Sequence, residues 1–454
     1  MVRSFLVMVC VLIALFWAHP VPCSENSPEI RSRTVWTLRQ AVQHALVHNP
    51  DAEAARERIR QAQATLDQAR ASLYPQLSAS GGYTRTDNPM LSFGNILNQG
   101  QFSDAIDFNQ PGTTDSLFAQ IMLRYQLYNG GRDSAVRCAA EKQSEATAQQ
   151  ARATTEQLGF EVIRAYHTIV QAEANMAARS AALASLQAAL RTAQARYGEG
   201  TMLKEEVLAL EVEQASAEEA LLQARHSERL ARRGLALLLG EQPGAEDVQL
   251  AAPSWAADGQ EEQEVPGNVA PVQRPELIAM QLLVASQKEV LKQARADRYP
   301  SVELFGSYQV EQGTTMDEGS GDSWSAGLRL NQTLFNGKST RAAIAREEAR
   351  LAELVAQQRK LELALAMEAE QARLGLEQES EKLVVNERRL HSAQESTRLT
   401  RLRFQEGLCT SAELIDAEKR LAEAEAGFAL ARHARLIAVA QLKRSYGLPQ
   451  FDDK

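Results

Sequence analysis

The stretch RYGEG at 196–200 returns as RFQEG at 403–407, which is 207 positions further along the chain. The same offset of 207 relates LYNGG at 127–131 to LFNGK at 334–338. A constant offset over such a distance indicates an internal duplication, because unrelated segments would not keep their motifs in register. We therefore interpret the chain as two copies of one structural unit.

Pairs of prolines bound a segment of equal length in each copy. Pro50 and Pro75 are 25 positions apart, and so are Pro275 and Pro300. Proline disfavours a helical conformation in the residue before it, so we expect a helix between the two prolines that ends before the second one. The offset between these pairs is 225 (275 − 50), so the first copy carries 18 extra residues before its LYNGG motif.

Two segments with the periodicity of β-strands follow the second proline of each copy. Apolar and polar residues alternate over about ten positions, which is the length that a membrane-spanning strand needs. In the second copy the last apolar residue of this pattern is Leu334. The sequence therefore predicts four strands of membrane-spanning length, at 76–85, 117–127, 301–310 and 324–334.

Long helices are predicted after the strands. No proline occurs between Gly130 and Gly200 or between Gly337 and Gly407, two stretches of 70 residues each. At 1.5 Å per residue, each stretch would form a helix roughly 100 Å long. A shorter helix of about 38 residues should return after each stretch. We expect Gly200 and Gly407 to end the long helices in the left-handed conformation, at the turns of two antiparallel hairpins.

The first residues have the composition of a targeting signal. Arg3 precedes the apolar run FLVMVCVLIALFW at 5–17, which is short for a transmembrane helix. We expect cleavage near Cys23 or Ser24, with an uncleaved anchor as the alternative. Lipidation of Cys23 stays open, although Pro22 is a poor fit to the small residue that lipid attachment needs.

These features divide the chain into five predicted segments. They are a signal peptide at 1–24, a first structural repeat at 25–240, a Pro/Gly/acid-rich linker at 241–274, a second repeat at 275–449 and a short tail at 450–454.

Composition and motifs argue against several functions. The net charge of −9 disfavours nucleic acid as a partner. We find no glycine-rich phosphate loop and no CxxC pair, and His226 and His433 lack the neighbours of a catalytic triad. The sequence therefore predicts no catalytic residue, metal site or cofactor. Cys138 and Cys409 should lie roughly 90 Å apart along the helices and so form no disulfide.

Four strands cannot form a membrane barrel alone. About eight strands make the smallest barrel, and open strand edges are not tolerated in lipid. We therefore expect several chains to combine their strands, with the helices projecting into water on one side of the barrel.

The duplicated order of elements over about 36–449 resembles the TolC-like outer membrane efflux protein family. The resemblance implies a mainly α protein with membrane β-strands, in which a homotrimer forms a transmembrane β-barrel and a periplasmic α-barrel. It also implies residence in the outer membrane of a Gram-negative bacterium, in contact with its lipid. The implied partners are a periplasmic adaptor protein and an inner-membrane transporter.

The resemblance also implies where the functional residues lie. Two acids six and nine residues past the second turn glycine narrow the channel in this family, and they correspond to Glu413 and Asp416. Glu206 holds the first of these positions in the other copy. The residues expected to meet the adaptor are those of the two tips: Arg196, Tyr197, Gly200, Arg403, Phe404 and Gly407. A basic residue that latches the closed tip in some members is replaced here by Cys409.

Two alternatives stay open at the level of sequence. The protein could serve type I protein secretion instead of efflux of small molecules such as drugs or metal ions. It could also be a coiled-coil protein of the envelope, although such a protein has no use for the alternating strands. The sequence does not identify the substrate or the pump.

Overall fold

The computed structural model describes residues 35–242, 249–251, 274–313 and 319–450. The predicted signal peptide with Cys23, most of the predicted linker and the last four residues lie outside the described residues. Within the described ranges, no helix combines the length and apolar composition needed to cross a bilayer.

The described residues form eight α-helices and six β-strands. The helices are α1 (Leu38–His48), α2 (Pro50–Arg70), α3 (Pro89–Asn98), α4 (Arg132–Gly198), α5 (Lys204–Leu238), α6 (Pro275–Ala296), α7 (Ser339–Gln405) and α8 (Ser411–Ser445). The strands are β1 (Val35–Trp36), β2 (Gln76–Thr86), β3 (Thr114–Tyr128), β4 (Gln249–Leu250), β5 (Ser301–Gln312) and β6 (Ser320–Asn331).

The four predicted long strands are present and form one antiparallel sheet in the order β2-β3-β5-β6. The apolar residues of each strand share one face, as the cross-strand pairs Tyr83–Leu117 and Tyr308–Trp324 show. The prediction for the end of the last strand was wrong. β6 ends at Asn331, so Leu334 lies beyond the sheet and is exposed.

The two helical hairpins are also present. α4 and α7 each have 67 residues, and the returning helices α5 and α8 each have 35, slightly fewer than expected. Near the hairpin turns the helices lie side by side in the order α5, α4, α8, α7. Nearer the sheet, α2 and α6 take the places of α5 and α8 beside α4 and α7.

The largest apolar core lies where α1 and the ends of α5 and α8 meet the middle of α4. α1 begins at a capping box, in which Thr37 and Gln40 each bind the other's backbone amide. These two backbone amides lie at the start of the helix, where no carbonyl of the helix can accept from them. Ala41, Val42 and Ala45 form the buried face of the helix.

Three elements, β1, β4 and α3, were not predicted from the sequence. β1 and β4 form a two-stranded parallel sheet, which joins the start of the described chain to residues of the predicted linker. α3 lies within the connection between β2 and β3, which the sequence analysis did not resolve into elements.

The repeat-equivalent residues His226 and His433 occupy different environments. His226 is exposed on α5, whereas His433 on α8 is buried beside His167 on α4, with 5.6 Å between the ring centroids. Burial of the His167 imidazole and its repulsion by His433 lower the pKa of His167 from 6.5 to about 4. A neutral His167 is therefore part of the native packing.

We expect His167 to make the protein less stable in acid. Between pH 6.5 and 4 the unfolded chain binds a proton at this site that the folded chain does not, so stability falls by about 3 kcal/mol per chain over that range. In thermal unfolding of the detergent-solubilised protein, His167→Gln should reduce the loss of melting temperature between pH 7 and 4.5. His226→Gln, at an exposed site on α5, should behave like the wild type. Parallel pH profiles for wild type and His167→Gln would contradict this assignment.

Candidate functional site at the hairpin tips

The two hairpin turns have the same backbone structure. Gly200 and Gly407 have positive φ angles of 73° and 78°, as predicted for residues that end helices. The amide of Thr201 donates to the carbonyl of Arg196, and that of Leu408 donates to the carbonyl of Arg403. These bonds satisfy carbonyl groups at the ends of α4 and α7, which would otherwise accept no hydrogen bond because the helix ends there.

A small apolar core joins the two hairpins behind these turns. Phe404, at the end of α7, is only 2% exposed and packs with residues from α4, α5 and α8. The other buried members are Leu186, Ala193, Val207, Leu210 and Leu414. Phe404 therefore contributes to the packing of the tip, and its side chain is not accessible at the surface of the single chain. Tyr197, by contrast, is exposed at the other turn.

Arg196 connects the first hairpin to the second. Its Nη1 donates to the carbonyl of Phe404 at 3.1 Å, and its Nη2 donates to that of Gln405 at 2.7 Å. These carbonyls belong to the last turn of α7, where the helix dipole favours a cation. The repeat equivalent Arg403 instead donates to Leu408 in its own turn, at 3.2 Å. Only one of the two equivalent arginines therefore crosses between hairpins.

A buried carboxylate makes a second link between the hairpins. Glu418 on α8 is 3% exposed, and its Oε1 accepts a hydrogen bond from the Ser185 hydroxyl on α4 at 2.7 Å. Arg401 on α7 binds both carboxylate oxygens, at 2.6 and 2.8 Å. A buried carboxylate needs such partners, because leaving it unpaired costs several kcal/mol. Lys419 adds an ion pair to Glu213 on α5, at 2.8 Å.

Two of the predicted channel acids, Glu413 and Asp416, lie on the face of α8 opposite to the buried Glu418. Glu413 and Asp416 are both exposed near the start of the helix, whereas Glu206, at the start of α5, is partly buried. Arg420 was not predicted as a site residue, and it forms an ion pair with Asp416 at 2.7 Å. The spacing of four residues on a helix was a signal for this pair. The exposed face therefore carries both signs of charge.

Cys409 is part of the packing of the tip. Its side chain lies against the apolar core, and its thiol donates to the Thr400 carbonyl at 3.5 Å. Burial, and then the nearby Glu413 carboxylate, raise the pKa of the Cys409 thiol. A neutral thiol at this position fits an apolar environment. Both Cys138 and Cys409 are free.

This chain is similar to known proteins in sequence and in structure. The sequence model of the outer membrane efflux protein family matches residues 41–241 and 268–448. The pyoverdine export outer membrane protein OpmQ of Pseudomonas aeruginosa is 26% identical over 422 residues, which cover 90% of this chain and 85% of OpmQ. The fusaric acid resistance protein FusA of Burkholderia cepacia is 28% identical over 305 residues. That match covers 65% of this chain and only about half (54%) of FusA.

Solved channel structures share the fold. The CmeC outer membrane channel of Campylobacter jejuni superposes with a TM-score of 0.80 at 15% identity, covering 96% of this chain and 95% of CmeC. The outer membrane protein VceC of Vibrio cholerae gives a TM-score of 0.72 at 20% identity, covering 90% of this chain and 96% of VceC. At these identities the similarity concerns the fold alone.

We expect Arg196→Ala to loosen the contact between the hairpins without unfolding them. The charge-assisted bonds to α7 should contribute about 1 kcal/mol, after allowance for their partial exposure. Hydrogen exchange measured by mass spectrometry should therefore become several-fold faster around residues 403–410. Arg191→Ala, at an exposed site on the same helix, is the matched control and should leave that exchange unchanged. Equal protection in both variants would show that Arg196 does not hold the tips together.

Proposed function

We propose that this chain, which belongs to the outer membrane efflux protein family, is the passive export duct of a tripartite efflux system. In this proposal three copies cross the outer membrane of a Gram-negative bacterium through a shared β-barrel and extend into the periplasm through a shared α-barrel. A periplasmic adaptor and an inner-membrane transporter complete the system. The duct itself is not an enzyme and needs no cofactor, because the transporter supplies the energy.

The observation that carries the proposal is the incomplete sheet. In the described part of the chain, β2 and β6 have no partner on their outer edges, and the apolar face of the sheet is bare. Trp324 is 76% exposed, and Leu77, Leu328 and Leu330 are similarly uncovered. Lipid suits such a face, but it cannot satisfy the hydrogen bonds of an open edge. Pairing of β6 with β2 of a neighbouring copy would close both edges at once.

The helices support the same assembly. α5 and α7 lie at the two sides of the helical layer near the tips, and both expose large apolar side chains on these sides. Examples are Val212, Leu222 and Leu230 on α5 and Val384, Val385 and Leu399 on α7. Contact between α5 of one copy and α7 of the next would bury these residues. Three copies would give twelve strands, an even number as in bacterial barrels.

We infer that the tip is the closed end of the duct. Opening would move one hairpin away from the other, and the contacts that resist this motion are those of Arg196 and Glu418. The adaptor would bias this equilibrium by binding the surface of the tips. The exposed residue Tyr197 and the backbone around Gly200, Arg403 and Gly407 are available for that contact. Phe404 would act from inside, by packing.

We further propose that Glu413, Asp416 and Glu206 line the constriction, together with Arg420. Threefold symmetry would repeat each charge around a narrow ring, where charged side chains select among ions. Because Arg420 neutralises part of the field of Asp416, Glu413 should dominate the preference for cations.

Small molecules are the proposed substrates. The names of OpmQ and FusA refer to pyoverdine export and to fusaric acid resistance, and both concern small molecules. Type I protein secretion remains the alternative function for this duct.

We expect the solubilised protein to be a trimer. Light scattering in mild detergent should give a protein mass three times that of the mature chain. Leu222→Asp should shift this mass toward the monomer by placing a charge in the contact between helices. Ser227→Asp, on another face of α5, should leave the trimer intact. A monodisperse wild-type monomer would refute the proposed assembly.

We expect two substitutions at the constriction to change ion selectivity in opposite directions. In planar bilayers, Glu413→Gln should lower the ratio of cation to anion permeability, whereas Arg420→Gln should raise it by freeing Asp416. Glu57→Gln, on α2 far from the tip, is the control for a change in total charge. If all three variants match the wild type, this face of α8 does not line the constriction.

A further inference from the structure

The connection between β2 and β3 contains a segment that the proposed function does not explain. Residues 88–103 include α3 and carry no charged side chain, although 24% of the whole chain is charged. The segment lies at the end of the sheet remote from the long helices, because those helices follow the other ends of β3 and β6. In the proposed orientation this end is the outer mouth of the barrel.

The segment lies over the polar face of the sheet. Along β6 the even-numbered residues form the apolar face with Trp324, so Gly321 belongs to the opposite face. A methyl group added at Gly321 would overlap the carbonyl oxygen of Asn98. Methyl groups at Gly313 and Gly319 would likewise overlap the side chains of Gln99 and Gln101. Since lipid would cover the apolar face, the polar face is that of the barrel lumen.

Hydrogen bonds fix α3 in this place. Gln99 Nε2 donates to the carbonyl of Asp115 at 2.7 Å, and the Ser92 hydroxyl donates to that of Thr86 at 3.0 Å. Asn95 Nδ2 donates to the Thr114 hydroxyl at 3.1 Å. Three aromatic rings brace the residues that follow, with centroids of Phe93 and Phe108 4.5 Å apart and those of Phe93 and Phe102 5.9 Å apart. These contacts give the segment a defined position at the mouth of the barrel.

The exposure of α3 is the reverse of that expected for a helix in water. Ser92 in α3 and Gln99 directly after it are polar but buried against the strand ends, together with Ile96. The large apolar residues of α3 face away from the sheet: Met90 is 80% exposed and Leu91 is 56% exposed. Leu97 and Phe108 extend this apolar surface. Large apolar side chains exposed on one segment in this number indicate a surface that a partner covers.

We infer that three copies of α3 meet inside the mouth of the trimer and form an apolar constriction there. This inference rests on the proposed trimeric duct. The partner is a second copy of this chain, because the segment lies on the lumen side, where threefold symmetry brings equivalent surfaces together and lipid has no access. A hydrophobic constriction dewets and so resists hydrated ions, while it admits solutes with apolar surface. The outer mouth would then select for amphipathic small molecules.

Disulfide cross-linking tests the contact between copies. In a Cys138→Ser, Cys409→Ser background, oxidation of Met90→Cys in the trimer should give dimers on non-reducing gels, with at most two of the three chains linked. Trp324→Cys, on the face assigned to lipid, is the control and should stay monomeric. If wild-type trimers form but Met90→Cys gives no dimer, the inference is wrong and the duct stands. If the wild type is a monomer, the proposed function itself fails.

Labelling from outside the cell tests the constriction independently of the periplasmic tip. In the same background, Ser307→Cys places a thiol on the polar face, below the segment, where Ser307 contacts Ser325 at 2.8 Å. A charged, membrane-impermeant maleimide added to intact cells should label it slowly. Met90→Ser with Leu91→Ser should make that labelling several-fold faster, whereas Leu328→Ser, on the opposite face, should not. Equal rates for these variants would show that α3 does not restrict the mouth.

Discussion

The hydrogen bonds of the strand edges are the constraint on which this molecule depends. Within the described chain, the sheet ends at β2 on one side and β6 on the other, and each outer edge presents backbone groups that need partners. Water can satisfy such groups, but a bilayer cannot. A sheet with an apolar face is therefore stable in lipid only when its edges are closed by further strands. The exposed apolar sides of α5 and α7 likewise need other helices to cover them.

The two long helices differ in how many of their residues are buried within the chain. α4 and α7 are equally long, yet α4 buries fifteen residues within the chain and α7 only four. α4 has helices on both sides, whereas α7 is covered on one side by α6 and α8. α7 therefore has fewer buried contacts within the chain than α4, and in the proposed trimer α5 of the next copy would cover its exposed side.

The internal repetition made most of the fold predictable, but it could not predict contacts at which the two copies differ. The alternation of apolar and polar residues predicted the four strands, and the two proline-free stretches at a constant offset predicted the hairpins and their left-handed turn glycines. Repetition could not predict that Arg196 crosses to α7 while Arg403 stays in its own turn, because the two motifs are equivalent in sequence. It likewise treated His226 and His433 as equivalent, although only His433 lies beside His167 in the core. Pairing across helices depends on side-chain packing that a linear pattern does not contain. The assignment of Glu413 and Asp416 to a constriction remains a prediction.

Two of the departures from equivalence lie at the two ends of the molecule. At the tip, Ala209 and Glu213 hold the positions in the first copy that are equivalent to Asp416 and Arg420, so this ion pair has no counterpart there. At the mouth, the connection in the first copy contains α3. The segments between these ends, the long helices and the strands, keep the same lengths or nearly so. Equal lengths are required there because both copies must span the same bilayer and the same depth of periplasm in the proposed duct. The ends carry no such requirement, so they are free to diverge, and the constrictions proposed for this duct lie there.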